Sequence, residues 1–100
     1  MKQQELFGLE TAGHLEKLAL YMPIVEKVHG KHHPEFHEVR ELAEGIIRKA
    51  KAAGKERPGL QEEFARLREI TGNYLVPGDV CESYEAVYRM LSDLDRAYEA

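Results

Sequence analysis

Residues 28–38 read Val-His-Gly-Lys-His-His-Pro-Glu-Phe-His-Glu and separate two helical segments of the chain. Gly30 is well suited to end the first helix as a left-handed residue just beyond it. Pro34 suits the first position of the next helix, because its missing N–H is one of the groups left unpaired there. Four of the five histidines lie in this stretch. It therefore predicts both a sharp turn between helices and the richest set of candidate metal ligands.

The segment before this stretch, residues 6–28, has apolar residues spaced three, four or six apart, which predicts one amphipathic helix. Two glycines in its first half predict a frayed start near Thr11. Pro23 predicts a bend or restart near Met22. The expected apolar face is Leu9, Leu15, Leu18, Met22, Val25 and Val28.

A second helix is predicted from Pro34 to Gly54, with acidic residues in its first turn and basic residues in its last. Glu44 and Arg48 are expected to pair on its surface, since residues four apart are neighbours on a helix. Lys55 to Gly59 forms a polar break with proline and glycine, which is typical of a loop. The expected buried stripe is Phe36, Val39, Ala43, Ile46, Ile47 and Ala50.

A third helix is predicted from about Pro58 to between Thr71 and Leu75, with Glu62 and Arg66 paired on its surface. Its core face is Leu60, Phe64, Leu67, Ile70 and Tyr74.

The fourth helix should begin after Asp79, an expected N-cap with Glu82 three residues later as in a capping box. Its buried face is Val80, Tyr84, Val87, Tyr88, Leu91, Leu94 and Tyr98. Four amphipathic helices with short connections predict an all-α fold, an antiparallel four-helix bundle formed by residues 1–100 as a single domain.

The composition excludes several classes of function. The formal charge of −4, with acids and bases interleaved, argues against nucleic-acid or anionic-membrane binding as the main activity. No apolar run approaches the roughly 20 residues of a transmembrane helix. The N-terminal residues lack the pattern of a signal peptide, and one cysteine cannot form an internal disulfide, so we expect a cytoplasmic protein.

Two blocks together resemble a known family. Residues 28–36 are similar to the V-H-G-x-x-H-P-E-L signature of the hemerythrin-like domain in the iron-sulfur cluster repair di-iron proteins, the Ric family. Residues 67–84 are similar to that family's I-R-x-L-T-x-x-Y-x-x-P-x-D-A-C-x-x-Y/W block. The resemblance implies a four-helix bundle that holds a non-haem di-iron centre. It also implies a role in repair under oxidative or nitrosative stress. His29 matches a ligand histidine, and His14 is the candidate for the ligand one helix earlier.

The sequence departs from the family at most other ligand positions. Where the family has H-M-x-K-E-E in its second helix, this chain has Ile-Ile-Arg-Lys-Ala-Lys at residues 46–51. No histidine lies near Arg57, where the third-helix ligand would fall, and the fourth-helix motif would begin after Ala100. His14 is also closer to His29 than the family spacing requires. We therefore expect a reduced iron site that one chain does not complete.

The histidines themselves allow two interpretations. In the first, His29 and the pair His33 and His37 converge on a metal, with Glu38 or Glu41 adding an oxygen. Iron would be the metal by family analogy, while zinc or nickel could bind adventitiously. In the second, the histidines cap helix ends at a polar corner and contact solvent.

Cys81 and the tyrosines also allow two interpretations each. Cys81, at the second position of the fourth helix, is either a redox-responsive or metal-touching thiol or a small semi-buried residue beneath the preceding turn. We favour the second. The five tyrosines form either a radical or ligand cluster or, as we favour, packing residues with hydroxyls at the bundle edge.

Two functions from different classes follow. The first is a hemerythrin-like cluster-repair protein whose partners are iron-sulfur proteins and whose metal residues are His29, His14, His33 and His37. The alternative is a metal-free helical module that forms a homodimer or docks on another protein chain through an exposed apolar stripe. No Ser-His-Asp order, phosphate-binding glycine loop or CxxC pair is visible, so classical enzymatic turnover ranks third.

Overall fold

A computed structural model describes residues 12–54 and 56–99, and over these ranges the protein is a bundle of four helices without strands. The helices are α1 (Ala12–His29), α2 (Glu35–Ala53), α3 (Gln61–Thr71) and α4 (Glu82–Glu99). The predicted all-α four-helix bundle is confirmed. The predicted helical residues 6–11, including Leu9 and the frayed start, lie outside the described ranges. In the described ranges, no helix combines the length and apolar character that crossing a membrane requires.

Helix α1 continues through Pro23 to His29 and does not restart at the proline. Its inner face is as predicted except at one end, since Leu15, Leu18, Met22 and Val25 are buried but Val28 is exposed. Helix α1 packs against α2 and α4, and α2 also packs against α3. The core is rich in large side chains, of which the largest fully buried are Tyr84, Tyr88, Tyr98, Phe36 and Phe64.

Gly30 ends α1 for a reason other than the predicted one. Its φ is not positive, whereas Gly54 and Gly72 have φ values of +60° and +62° and close α2 and α3. The Gly30 N–H donates to the Glu26 carbonyl oxygen at 2.8 Å. A Cβ at position 30 would lie 2.6 Å from that same oxygen and 3.1 Å from the His37 ring. Glycine is required here because the turn leaves no room for a side chain.

Helix α3 begins at Gln61, three residues later than predicted. Tyr98 near the end of α4 explains the delay, since its buried hydroxyl donates to the Pro58 carbonyl at 2.8 Å and accepts from the Leu60 N–H at 2.9 Å. These two bonds hold residues 58–60 outside the helix. The expected core residues Ile70 and Tyr74 are only partly buried.

The predicted surface ion pairs within single helices are replaced by others. Arg66 binds Glu38 of α2 at 2.6 and 2.9 Å, together with Glu69, instead of Glu62. Glu44 accepts from Arg40 at 3.0 Å instead of from Arg48. The Arg66 contact joins α2 to α3, and its two parallel bonds to one carboxylate are the geometry that a guanidinium favours.

Candidate functional site

The turn between α1 and α2 meets the segment that precedes α4 at one end of the bundle. The two segments meet because the bundle is antiparallel. The C-terminal end of α1, at His29, lies at the same end of the bundle as the N-terminal end of α4, at Glu82. We call the group His29, His33, Asp79, Cys81 and Tyr84 the histidine corner.

His29 and Cys81 form one pair of the histidine corner. The His29 Nε2 atom lies 3.1 Å from the Cys81 Sγ atom, and the cysteine is exposed. Cys81 precedes α4 instead of occupying its second position, and it is not the semi-buried residue that we expected. The pair places a nitrogen and a sulfur donor side by side at the surface.

His33 joins the two segments of the corner through both ring nitrogens. Its Nδ1 lies 3.1 Å from Glu35 Oε2 and its Nε2 lies 3.0 Å from Asp79 Oδ1. A neutral imidazole has one N–H, so both carboxylates are satisfied together only by the protonated ring. Burial lowers the pKa of His33, but the hydrogen bonds and charges of the two carboxylates outweigh it, so the net pKa is raised.

Asp79 therefore does not act as the predicted N-cap of α4. Its carboxylate contacts His33, and the helix starts three residues later, at Glu82. The His33 ring and the backbone N–H groups at the start of α4 compete for the Asp79 carboxylate. The protonated His33 ring is favoured because it forms a charge-assisted hydrogen bond.

The buried ring of Tyr84 packs beneath the two histidines of the corner. Its ring centroid lies 5.4 Å from that of His29, 5.5 Å from that of His33 and 5.0 Å from that of Phe36. The Tyr84 hydroxyl is 3.0 Å from the hydroxyl of Tyr88, and both residues are buried. The prediction that these hydroxyls lie at the bundle edge is therefore wrong. Burial raises the pKa of both phenols, which keeps them neutral.

The four predicted metal residues do not come together. His37 Nδ1 lies 2.8 Å from Glu26 Oε2, and this bond and the one from Arg40 lower the pKa of the Glu26 carboxyl. His14 contacts Asp93 at 3.3 Å and lies fifteen residues before His29, or about 22 Å along the helix. Only His29 and His33 are neighbours, with ring centroids 6.5 Å apart.

Of the two carboxylates proposed as helpers, Glu38 and Glu41, the first is engaged elsewhere. Glu38 binds Arg66. Within residues 12–54 and 56–99, no three His, Cys, Asp or Glu side chains are grouped to hold one metal ion.

A resident di-iron centre between the helices does not fit this chain. The part of α2 that aligns with the family's ligand motif contributes Ile46, Ile47 and Ala50, which are all buried in the apolar core. Carboxylate and imidazole ligands would have to replace these side chains. The histidine corner instead places the His29 imidazole nitrogen beside the sulfur of the exposed Cys81.

Sequence reasoning missed Asp79, Glu35 and Tyr84 as parts of the site. Asp79 and Tyr84 lie in the second block of the family resemblance, at the positions of its aspartate and its final aromatic residue, which was the available signal. Compared with protein-family models, with curated proteins and with solved structures, the chain matches none.

Proposed function

We propose that this protein is a hemerythrin-like protein of the Ric type that supports the repair of iron-sulfur clusters under oxidative or nitrosative stress in the cytoplasm. The observation that carries the proposal is the meeting of the two sequence blocks of the resemblance in one corner. His29 of the first block contacts Cys81 of the second, and His33 contacts Asp79. Residues about 50 apart in the sequence thus share one surface site.

Iron enters this proposal as cargo. Imidazole and thiolate are both ligands that bind iron and zinc, and His29 and Cys81 present them 3.1 Å apart. A closed structural metal site in a protein has about four protein ligands. Two donors leave most coordination positions to solvent or to a client, which suits an ion that must be handed on. The client would be an iron-sulfur protein whose cluster has lost iron.

The test is anaerobic titration of untagged protein with ferrous iron against a competing chelator. We expect iron to bind up to one equivalent per chain. His29→Ala and Cys81→Ser should each weaken binding by about 10-fold or more, as for the loss of one metal-ligand interaction. His14→Ala is the matched control, because it removes a partly exposed histidine that contacts Asp93, far from the histidine corner.

Transfer of iron to a client protein is a second measurement that tests the proposal. Iron-loaded protein should restore iron to an iron-depleted cluster protein faster than the same amount of free ferrous iron, and Cys81→Ser should remove this advantage. Less than about a tenth of an equivalent of bound iron, with no change on His29→Ala, would contradict iron handling.

A further inference from the structure

The outward face of α1 carries a row of exposed apolar side chains. Leu20, Ile24 and Val28 are 67%, 58% and 60% exposed. Residues four apart lie above one another on a helix, so the three form a continuous row, which we call the outer stripe. The one other large exposed hydrophobic residue of the described ranges is Leu75. Clustering of such residues on one face marks an interaction surface more strongly than scattered exposure does.

Lysines surround the outer stripe although the chain as a whole is acidic. Lys17 precedes Leu20 by one turn, Lys27 flanks the stripe, and Lys31 follows Val28 just beyond the helix; all three are exposed. In the described ranges, none of the three has a carboxylate within ion-pair distance. Arg40 and Arg68, by contrast, each bind carboxylates of the bundle. Glu16, which is also exposed, lies one turn before Leu20, so three lysines outweigh one carboxylate and the face is apolar with a net positive charge.

The charges disfavour a second copy of this chain as the occupant. In an antiparallel pairing of two α1 helices centred on Ile24, residues whose numbers add to 48 lie opposite one another. Leu20 would then face Val28 favourably, but Lys17 would face Lys31. A parallel pairing would set each lysine beside its own copy. Opposed like charges at an interface cost free energy and select against the wrong partner.

We propose that the outer stripe binds an amphipathic acidic helix of a partner protein. Such a helix would place apolar residues three and four apart on Leu20, Ile24 and Val28, and glutamates or aspartates beside Lys17, Lys27 and Lys31. The surface is separate from the proposed iron donors, although Val28 adjoins His29. The inference does not depend on iron binding.

The probe is a labelled synthetic peptide of about 20 residues, a typical length for such a helix, with leucines on one face and glutamates flanking them. We expect saturable binding by fluorescence anisotropy that weakens as salt rises. Ile24→Asp should weaken binding by about 10-fold or more, corresponding to about 1.4 kcal/mol. The double variant Lys17→Glu, Lys27→Glu should also weaken it. Leu75→Asp is the matched control, because it changes an exposed apolar residue off the stripe, and it should leave binding unchanged.

Several results would overturn the proposal. Equal binding of a peptide with lysines in place of the glutamates would show that the lysines do not select an acidic partner. No binding of either peptide would show that the outer stripe is not a site for such a helix. A concentration-dependent dimer that Ile24→Asp abolishes would assign the stripe to a second copy. Binding to phosphatidylglycerol vesicles, but not to the peptide, would assign it to a membrane surface. His29→Ala should leave peptide binding unchanged and Ile24→Asp should leave iron binding unchanged, so the two proposals can fail separately.

Discussion

The two ends of α4 hold their neighbours by different chemistry. Near its C-terminal end, the buried Tyr98 hydroxyl binds the backbone at Pro58 and Leu60, and buried Asp95 accepts from Arg68 at 2.8 and 3.0 Å. At its N-terminal end, Asp79 contacts His33 of the α1–α2 turn and Cys81 contacts His29, the last residue of α1.

We call the C-terminal end of α4, with Tyr98 and Asp95, the fixed end. We call its N-terminal end, at the histidine corner, the adjustable end. The Tyr98 bonds are neutral and buried, so neither protons nor salt changes them near neutral pH. The His33 bonds require a proton on an imidazole, the side chain whose charge changes most readily near neutral pH. The proposed site lies at the adjustable end.

Loss of Asp95 should have the largest effect. Asp95→Ala leaves Arg68 without its bidentate partner and Tyr74 without the acceptor 2.7 Å from its hydroxyl. We expect the free energy of unfolding to fall by about 3 kcal/mol, because three hydrogen bonds to a buried carboxylate are lost, two of them charge-assisted, and urea denaturation measures it. Asp93→Ala, two residues away and exposed, should change it by less than about 0.5 kcal/mol. Similar losses in the two variants would show that the fixed end is not held by Asp95.

Removing one phenol oxygen at each end should give smaller, unequal effects. Tyr98→Phe leaves the Leu60 N–H and the Pro58 carbonyl without this partner, and we expect a loss of about 2 kcal/mol. Tyr84→Phe breaks one bond, to the Tyr88 hydroxyl, and should cost about 1 kcal/mol. Both substitutions keep the ring packing, so thermal and urea unfolding compare the hydroxyls alone. An equal or reversed order would contradict the assignment of the fixed end.

The smallest effect should be the dependence of stability on pH at the histidine corner. The pKa of His33 is raised in the folded protein, so its contribution is fully present below the ordinary histidine value of about 6.5 and is lost as pH rises through the folded pKa. The groups that face it are Glu35, Asp79, His29, Cys81 and Tyr84. We expect a decrease of less than about 1 kcal/mol as pH rises above the ordinary histidine value, because the carboxylates are partly exposed.

The control variants isolate His33 within that pH profile. His33→Gln should flatten the decrease, whereas His14→Gln should retain it, and urea unfolding at several pH values measures both. An unchanged profile in His33→Gln would mean that other groups produce the pH dependence.

The helices and most of the core were predictable because they depend on local periodicity. The spacing of Phe36, Val39 and Ile46 places them on one face of α2 whatever the helix packs against, and all three are buried. Helix ends and ion pairs were less predictable, because their partners come from other helices. Asp79 binds His33 instead of capping α4, and Arg66 binds Glu38 of α2 as well as Glu69 of its own helix.

The candidate site was predictable in part. The resemblance directed attention to His29, and the second block contained Asp79, Cys81 and Tyr84, but their meeting depends on how α1 and α4 pack. His37 looked equivalent to His33, since both begin the second helix. The fold turns His37 towards Glu26 instead, a contact between neighbouring helices that spacing within α2 could not reveal.

The tyrosines at the two ends of α4 also make the protein its own optical reporter. The chain has no tryptophan, so its ultraviolet emission comes mainly from five tyrosines. Tyr84 and Tyr88 lie beside the histidine corner, and Tyr98 lies at the opposite end of the same helix. Proton release from His33 should therefore alter the emission of the first pair and leave that of Tyr98 unchanged. Single Tyr→Phe variants can thus assign a spectral change to one end of the bundle without any attached dye.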